Sequence, residues 1–189
     1  MEIQHNDQIK YNYSNISKDL ISYQVLDSNN VNIHTIQQMG QIVQDTSKDA
    51  VFLNFINNLV STFNQNKQGQ SLYTWLQKNT VYINDPPTLE FIRTPKFQIL
   101  NYLTNRQLIA GDCDDLALLA TACYYAIGYG AGFRLLSKDC TEWHHIYSII
   151  FCPITKEWEA IDLTNKNFSF GEEYPACDLL DFSVTVPKI

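Results

Sequence analysis

Residues 111–130, GDCDDLALLATACYYAIGYG, begin with one thiol among three carboxylates and then become almost wholly apolar. The apolar part has no polar stripe, so the pattern predicts a helix that is buried on nearly every side. Asp112 stands where a helix-capping residue is expected, and Gly128 and Gly130 stand where the helix would end. The stretch therefore predicts a central buried helix with Cys113 in its first turn.

A cysteine in the first turn of a helix lies where negative charge is favoured. The unpaired backbone N–H groups and the helix dipole both lower the pKa of a thiol at that point. Neighbouring carboxylates raise that pKa, so Asp114 and Asp115 need a role of their own. We expect Asp115 to be tied to the backbone or to a basic group, and Arg93 is a candidate partner for one of the three motif aspartates. Cys113 is a candidate nucleophile, provided that a base and an orienting group lie close by.

Three segments after this helix have the alternating or apolar pattern of antiparallel strands. They are GFRLLSK (132–138), WHHIYSIIF (143–151) and EWEAIDLT (157–164). If the last two form a hairpin with residues 153–156 as a four-residue turn, Cys152 faces Glu157. The register of every other pair on the two strands follows from that turn.

Two histidines and one aspartate on these strands are candidates for the base and the orienting group. In the four-residue register His145 lies opposite Thr164, and Asp162 lies diagonal to it on the same face, within side-chain reach. A loop one residue longer or shorter would turn every side chain over and select His144 instead. Spacing alone leaves the choice between the two histidines open.

The N-terminal half is predicted to be helical after a polar segment. Residues 1–30 are rich in Asn and Ser, and we expect an extended arm or edge strands there. Residues 31–189 are expected to form a single domain with one core. From Asn32 onward apolar residues recur every three or four positions. This spacing predicts two helices separated near residues 45–48, where Asp45, Thr46 or Ser47 could cap the second.

Two further helices are predicted at residues 71–77 and at about 96–103, on either side of a segment rich in proline. Helices come first along the chain and strands come afterwards, which is typical of the α+β class rather than of alternating α/β folds. We therefore predict an α+β fold in which N-terminal helices and the central buried helix pack on an antiparallel sheet.

Composition argues against several functional classes. The net charge is −7, from 13 basic and 20 acidic residues, whereas nucleic-acid-binding proteins usually carry a basic patch. No apolar run approaches the roughly 20 residues that a membrane-spanning helix needs. The first ten residues lack the basic and apolar regions of a secretory signal, so we expect a cytoplasmic protein.

The cysteines are odd in number and irregularly spaced, and no two form a CxxC pair. The five are Cys113, Cys123, Cys140, Cys152 and Cys177. This pattern predicts neither a disulfide framework nor a zinc site, and we expect most of these residues to be small members of the core. Nothing in the sequence indicates a cofactor.

Three short motifs together resemble the transglutaminase-like superfamily of papain-like cysteine enzymes. They are GDCDD (111–115) at the start of an apolar helix, HIY (145–147) on a strand, and WEAID (158–162) on the next strand. The order Cys, His, Asp along the chain also matches that superfamily. The likeness covers about residues 80–165, and DPPTLEFIRTP (85–95) looks like the lead-in of small bacterial and bacteriophage members.

The resemblance implies a papain-like core and a catalytic triad. Cys113 would be the nucleophile, His145 the base that takes its proton and later protonates the leaving amine, and Asp162 the residue that orients the imidazole. The implied activity is acyl transfer from a peptide or protein amide to water or to an amine. The backbone N–H of Cys113 would contribute to the oxyanion hole.

Other interpretations stay open at this stage. Small bacteriophage members of the superfamily occur near virion genes, and the Asn-rich arm suits an assembly, so the chain could be a neck, tail or connector protein that retains the fold. Its partners would then be other virion proteins, in the host cytoplasm or the virion. Cys113 could also be a core thiol without function. A metal site built from Asp112, Cys113, Asp114 and a histidine is a less favoured alternative, and we predict no metal.

Overall fold

The structure is a computed structural model that describes residues 20–24, 28–86, 89–152 and 156–184. The described part contains five α-helices and eight strands, which confirms the α+β class. In chain order they are β1 (Leu20–Gln24), α1 (Ser28–Thr46), α2 (Ala50–Ser61), α3 (Gln68–Asn79), β2 (Thr80–Tyr82), β3 (Leu89–Arg93), α4 (Pro95–Asn105), β4 (Ile109–Gly111), α5 (Cys113–Ala126), β5 (Gly130–Ser137), β6 (His145–Phe151), β7 (Trp158–Ile161) and β8 (Asp178–Val184).

The central feature is a four-stranded antiparallel sheet with strand order β7-β6-β5-β8. Helix α5 packs on one face of this sheet, where the hydroxyl of Thr121 donates a hydrogen bond of 2.9 Å to the Ser148 hydroxyl of β6. Side chains alternate along a strand, so Tyr147 and Ile149 lie on the opposite face. They form a smaller buried cluster there, separate from the main core. The sheet is therefore covered on both faces.

Helix α5 is buried as its sequence predicts. Every residue from Asp114 to Tyr125 is buried. The helix ends at Gly128, which has a φ of +87° and donates its N–H to the Tyr125 carbonyl at 3.1 Å. A residue with a side chain rarely adopts this φ, so glycine at this position stops the helix sharply. The predicted central helix, its start and its end are all confirmed.

The gap between the first two helices lies further along the chain than predicted. Asp45 and Thr46 still belong to α1, and the cap of α2 is Asp49, whose carboxylate accepts the N–H groups of Val51 and Phe52. Asp49 also pairs with Lys96 of α4 at 2.9 Å. The expected capping role of residues 45–47 was wrong, because α1 extends through Thr46 and α2 begins only after Asp49.

Replacing Asp49 by alanine should lower the free energy of unfolding by about 1–2 kcal/mol, because the change removes the cap of α2. The partly exposed ion pair with Lys96 adds little to this loss. Urea unfolding measures the effect. The matched control is Asp45→Ala, which removes an exposed carboxylate 3.7 Å from Lys48 and no helix cap. We expect a change below about 0.5 kcal/mol for the control, and equal losses in the two variants would contradict the capping role.

The sequence pattern did not predict strands β2, β3, β4 and β8. Strand β2 pairs in parallel with β4, and each has only three residues, too few to show an alternation. Strand β1 pairs antiparallel with β3, so part of the predicted arm is a strand. Strand β8 is the fourth strand of the main sheet, at one edge. The rest of the arm, residues 1–19 and 25–27, lies outside the described residues, and the division of the chain at residue 30 stays a prediction.

The expectation about disulfides was wrong for one pair of cysteines. Cys140 and Cys177 form a disulfide across 37 residues of sequence, with their Cα atoms 5.3 Å apart. The partners meet because the loop between β5 and β6 folds against the segment before β8, where the Cys177 N–H donates to the Ser137 carbonyl at 2.8 Å. Cys123 is a buried core thiol, as predicted. Burial raises its pKa.

Among the described residues, no helix is both long and apolar enough to cross a membrane.

Candidate active site

His145 and Asp162 meet at the end of the β6–β7 hairpin. The Nε2 atom of His145 lies 2.8 Å from Oδ2 of Asp162, at hydrogen-bonding distance. The Asp162 side chain is fully buried, while 13% of the His145 side chain is exposed. The imidazole therefore has one nitrogen fixed by a buried carboxylate and its other nitrogen, Nδ1, available for a second partner.

The second oxygen of Asp162 is held by Thr164. Its Oδ1 atom accepts the Thr164 N–H at 2.8 Å and the Thr164 hydroxyl at 2.7 Å. Burial raises the pKa of Asp162, but the hydrogen bonds from His145 and Thr164 outweigh this effect and hold the pKa below its usual range. Asp162 is therefore an ionised acceptor that faces His145 with a fixed oxygen.

The backbone at Asp162 is fixed from helix α3. The Tyr73 hydroxyl donates to the Asp162 carbonyl at 3.3 Å, and Gln77 Nε2 donates to the same carbonyl at 3.1 Å. Gln77 also donates to the Asn165 carbonyl at 3.1 Å. Tyr73 and Gln77 lie four positions apart, so they share one face of α3. Sequence reasoning did not find them, because their spacing from Asp162 carries no pattern.

The hairpin register decides between the two histidines. The Cys152 N–H donates to the Glu157 carbonyl at 2.9 Å, which is the pairing predicted for a four-residue turn. Residues 153–155 of that turn lie outside the described residues. His145 contacts Asp162, whereas Nε2 of His144 lies 3.6 Å from Asp139 at the other side of the loop. The structure thus brings His145, and not His144, to the predicted aspartate.

Cys113 is the first residue of α5 and carries a partly exposed thiol. Two residues earlier, Gly111 pairs with Tyr82 in the short parallel sheet of β2 and β4. Tyr82 in turn lines the cleft that contains His145. Tyr82 therefore links the segment before α5 to the cleft that contains His145, and Cys113 itself is not one of the residues that line this cleft.

The carboxylate of Asp115 binds Arg93. Its two oxygens accept from the Arg93 backbone N–H and from guanidinium Nη1, and Nη2 of Arg93 lies 3.0 Å from Asp85. Gln98 donates to the backbone carbonyls of Arg93 and Asp115. Burial raises the pKa of Asp115, and the guanidinium limits the rise. The prediction that Asp115 is tied to the backbone and a basic group is confirmed, with Arg93 as the partner.

The other two motif carboxylates lie beside this ion pair. Asp112 occupies the N-cap position, but its side chain makes no capping hydrogen bond, so the predicted capping interaction was wrong. Oxygens of Asp112, Asp114 and Asp115 lie within 4.8 Å of one another, a spacing that a cation could bridge. Arg93 already supplies positive charge there, and within the described ranges neither Cys113 nor a histidine joins the cluster.

The cleft around His145 has aromatic and basic walls. It is lined by Tyr82, Lys138, His144, His145, Thr164 and Tyr174. The Tyr174 ring packs edge-on against the His145 ring, with centroids 5.9 Å apart. Of these residues, the sequence singled out the two histidines and Thr164, while Tyr82, Lys138 and Tyr174 come from segments with no motif.

Comparison with known proteins gives matches in structure only. No protein-family model and no curated protein matches the chain. A crystal structure of a proposed cysteine protease from Cytophaga hutchinsonii is 10% identical, with a TM-score of 0.47, over 90% of this chain and 65% of that one. A crystal structure of a TGase is 10% identical, with a TM-score of 0.36, over 80% of this chain and 36% of that one. The chain thus spans less than two thirds of either protein.

The architecture has the α+β arrangement that the sequence predicts, with helices and a central buried helix on an antiparallel sheet. A buried helix begins with Cys113 and packs on an antiparallel sheet. Two neighbouring strands of that sheet bring His145 to Asp162.

Proposed function

We propose that this protein is a cysteine acyl-transfer enzyme in which Cys113 is the nucleophile, His145 the general base and Asp162 the orienting carboxylate. The observation that carries the proposal is the hydrogen bond of 2.8 Å between His145 and a fully buried, doubly hydrogen-bonded Asp162. Further support comes from Tyr82, which lines the same cleft as His145 and pairs with Gly111, two residues before Cys113. A nucleophile, a base and an orienting group are the three parts that covalent catalysis needs.

The chemistry follows from the roles of the two imidazole nitrogens. Since Nε2 of His145 is bound to Asp162, Nδ1 takes the proton of the Cys113 thiol. The thiolate attacks an amide carbonyl, and the backbone N–H of Cys113 donates to the developing oxyanion. His145 returns its proton to the leaving amine as the C–N bond breaks. A thioester remains, and water or a second amine attacks it to release the acyl group.

The test is the rate at which iodoacetamide alkylates Cys113 between about pH 5 and about pH 9, followed by mass spectrometry of the peptide that contains it. A thiol with an ordinary pKa of about 8.5 is only about 0.3% ionised at about pH 6. A thiol paired with imidazolium is mostly ionised there, although its lower basicity makes it less nucleophilic. We expect alkylation at that pH to be about tenfold faster in the wild type than in His145→Ala.

The matched control is His144→Ala, which removes the neighbouring imidazole that faces Asp139. We expect its alkylation rate to stay within about twofold of the wild type. If wild-type Cys113 reacts only as the pH approaches about 8.5, the thiol is ordinary and the proposed function is wrong.

The assembly role and the location in a host cytoplasm or virion stay predictions. Size-exclusion chromatography of the purified protein tests the assembly role. A stable monomer would argue against an assembly protein, and ordered oligomers would support one. Fold by itself does not decide between an enzyme and an assembly protein.

A further inference from the structure

One wall of the cleft takes no part in the chemistry proposed for Cys113, His145 and Asp162. Lys138 follows the last residue of β5 and is exposed. Its Nζ atom lies 5.7 Å from the centre of the Tyr174 ring, a cation–π contact, and both side chains line the cleft. Within the described part of the chain, Lys138 makes no ion pair.

Three carboxylates in the segments around Lys138 and Tyr174 are each bound by groups other than Lys138. Asp162 is bound to His145 and Thr164. Glu173, next to Tyr174, accepts from the Arg134 guanidinium at 2.9 Å and from a tyrosine hydroxyl. The carboxylate of Asp139 accepts the N–H groups of the two residues at 141 and 142. Lys138 is therefore a cation at the cleft with no carboxylate bound to it.

The chain segments that carry Lys138 and Tyr174 are joined covalently. The Cys140–Cys177 disulfide joins the loop that follows Lys138 to the segment that follows Tyr174. The Tyr174 ring contacts the His145 ring directly. A cross-linked backbone needs less ordering when a ligand binds than a mobile loop does, which favours binding by a side chain that it carries.

We propose that Lys138 is a specificity-determining residue that binds a carboxylate of the acyl donor, so that the enzyme acts on amides within acidic peptide segments. This inference rests on the proposed function. The ammonium group pairs with the carboxylate, and the rings of Tyr82 and Tyr174 cover the methylene groups beside it. A local cation also matters because the chain carries a net charge of −7, which repels an acidic substrate elsewhere on its surface.

The test compares two reagents of nearly the same shape, iodoacetate and iodoacetamide, which differ in a carboxylate and a neutral amide. In both reactions the Cys113 sulfur forms a bond to the CH₂ carbon and iodide leaves. The ratio of the two rate constants therefore depends on the electrostatic environment of the carboxylate as the reagent approaches Cys113. We expect Lys138→Gln to lower the iodoacetate/iodoacetamide ratio by at least about threefold at low ionic strength, because only iodoacetate carries a carboxylate. Lys138→Glu should lower the ratio further.

The control is Lys156→Gln, which makes the same change in net charge at the opposite end of the β6–β7 hairpin. Its ratio should equal that of the wild type. An unchanged ratio in Lys138→Gln overturns the inference, and so does an equal fall in both lysine variants. Failure of the proposed function gives a different result, namely slow iodoacetamide alkylation of the wild type at about pH 6.

Discussion

Replacing Arg93 by methionine lowers the free energy of unfolding by about 3–5 kcal/mol, the largest effect on stability that we expect from a single ion pair in this chain. The Asp115 side chain has no exposed surface, and 24% of the Arg93 side chain is exposed. Without the guanidinium, a buried carboxylate at the start of α5 loses its counter-ion and retains a single backbone donor from residue 93. A buried charge without its partner is costly because no water replaces the lost interaction.

Denaturant unfolding at about neutral pH measures this loss, and two variants define its cause. Lys96→Met removes a cation from a more exposed pair with Asp49, and we expect a loss below about 1 kcal/mol. The double variant Arg93→Met/Asp115→Asn removes the buried charge of Asp115 and leaves Asp85 as the carboxylate that has lost its ion pair with Arg93. It should therefore be more stable than Arg93→Met alone. A loss below about 1 kcal/mol in Arg93→Met would show that the pair does not hold the entrance of α5 together.

The second large effect is on acylation, and it concerns Asp162→Asn. Thr164 donates both its N–H and its hydroxyl to one carboxylate oxygen, so the carbonyl of asparagine turns toward Thr164 and its NH₂ group faces His145. An NH₂ group there requires Nε2 of His145 to accept. The imidazole proton then lies on Nδ1, the nitrogen that must take the proton of the thiol. We expect the acylation rate to fall by roughly 100-fold, a typical contribution of general base catalysis.

The measurement uses p-nitrophenyl acetate, which transfers its acetyl group to the Cys113 sulfur and releases p-nitrophenolate. The phenolate is followed by absorbance, and the acetyl group on Cys113 by mass spectrometry. The matched control is Asp139→Asn, which makes the same substitution at a carboxylate that faces His144. It should change the rate by less than about twofold. Equal rates in Asp162→Asn and the wild type would contradict the orienting role of Asp162.

The central helix and the hairpin that carries His145 could both be predicted from the sequence. A helix that is apolar on all sides is stable only when it is buried. The glycine at the end of the segment marks the position where the helix stops. In the hairpin, one pairing fixes all others because side chains alternate with a period of two. The predicted pairing of Cys152 with Glu157 is observed, and it places His145 and Asp162 on one face. These features are local, so a short window of sequence contains them.

The residues from distant parts of the chain that surround His145 and Asp162 could be identified from the tertiary structure alone. The Cys140–Cys177 disulfide, the anchoring of Asp162 by Tyr73, and the approach of Tyr82 to Gly111 each join separate segments of the chain. Such contacts depend on how helices and strands pack against one another, and packing leaves no periodic signal in the residues that meet. The motifs therefore predicted the candidate reacting groups, whereas the tertiary contacts determine what holds Asp162 and which residues line the cleft.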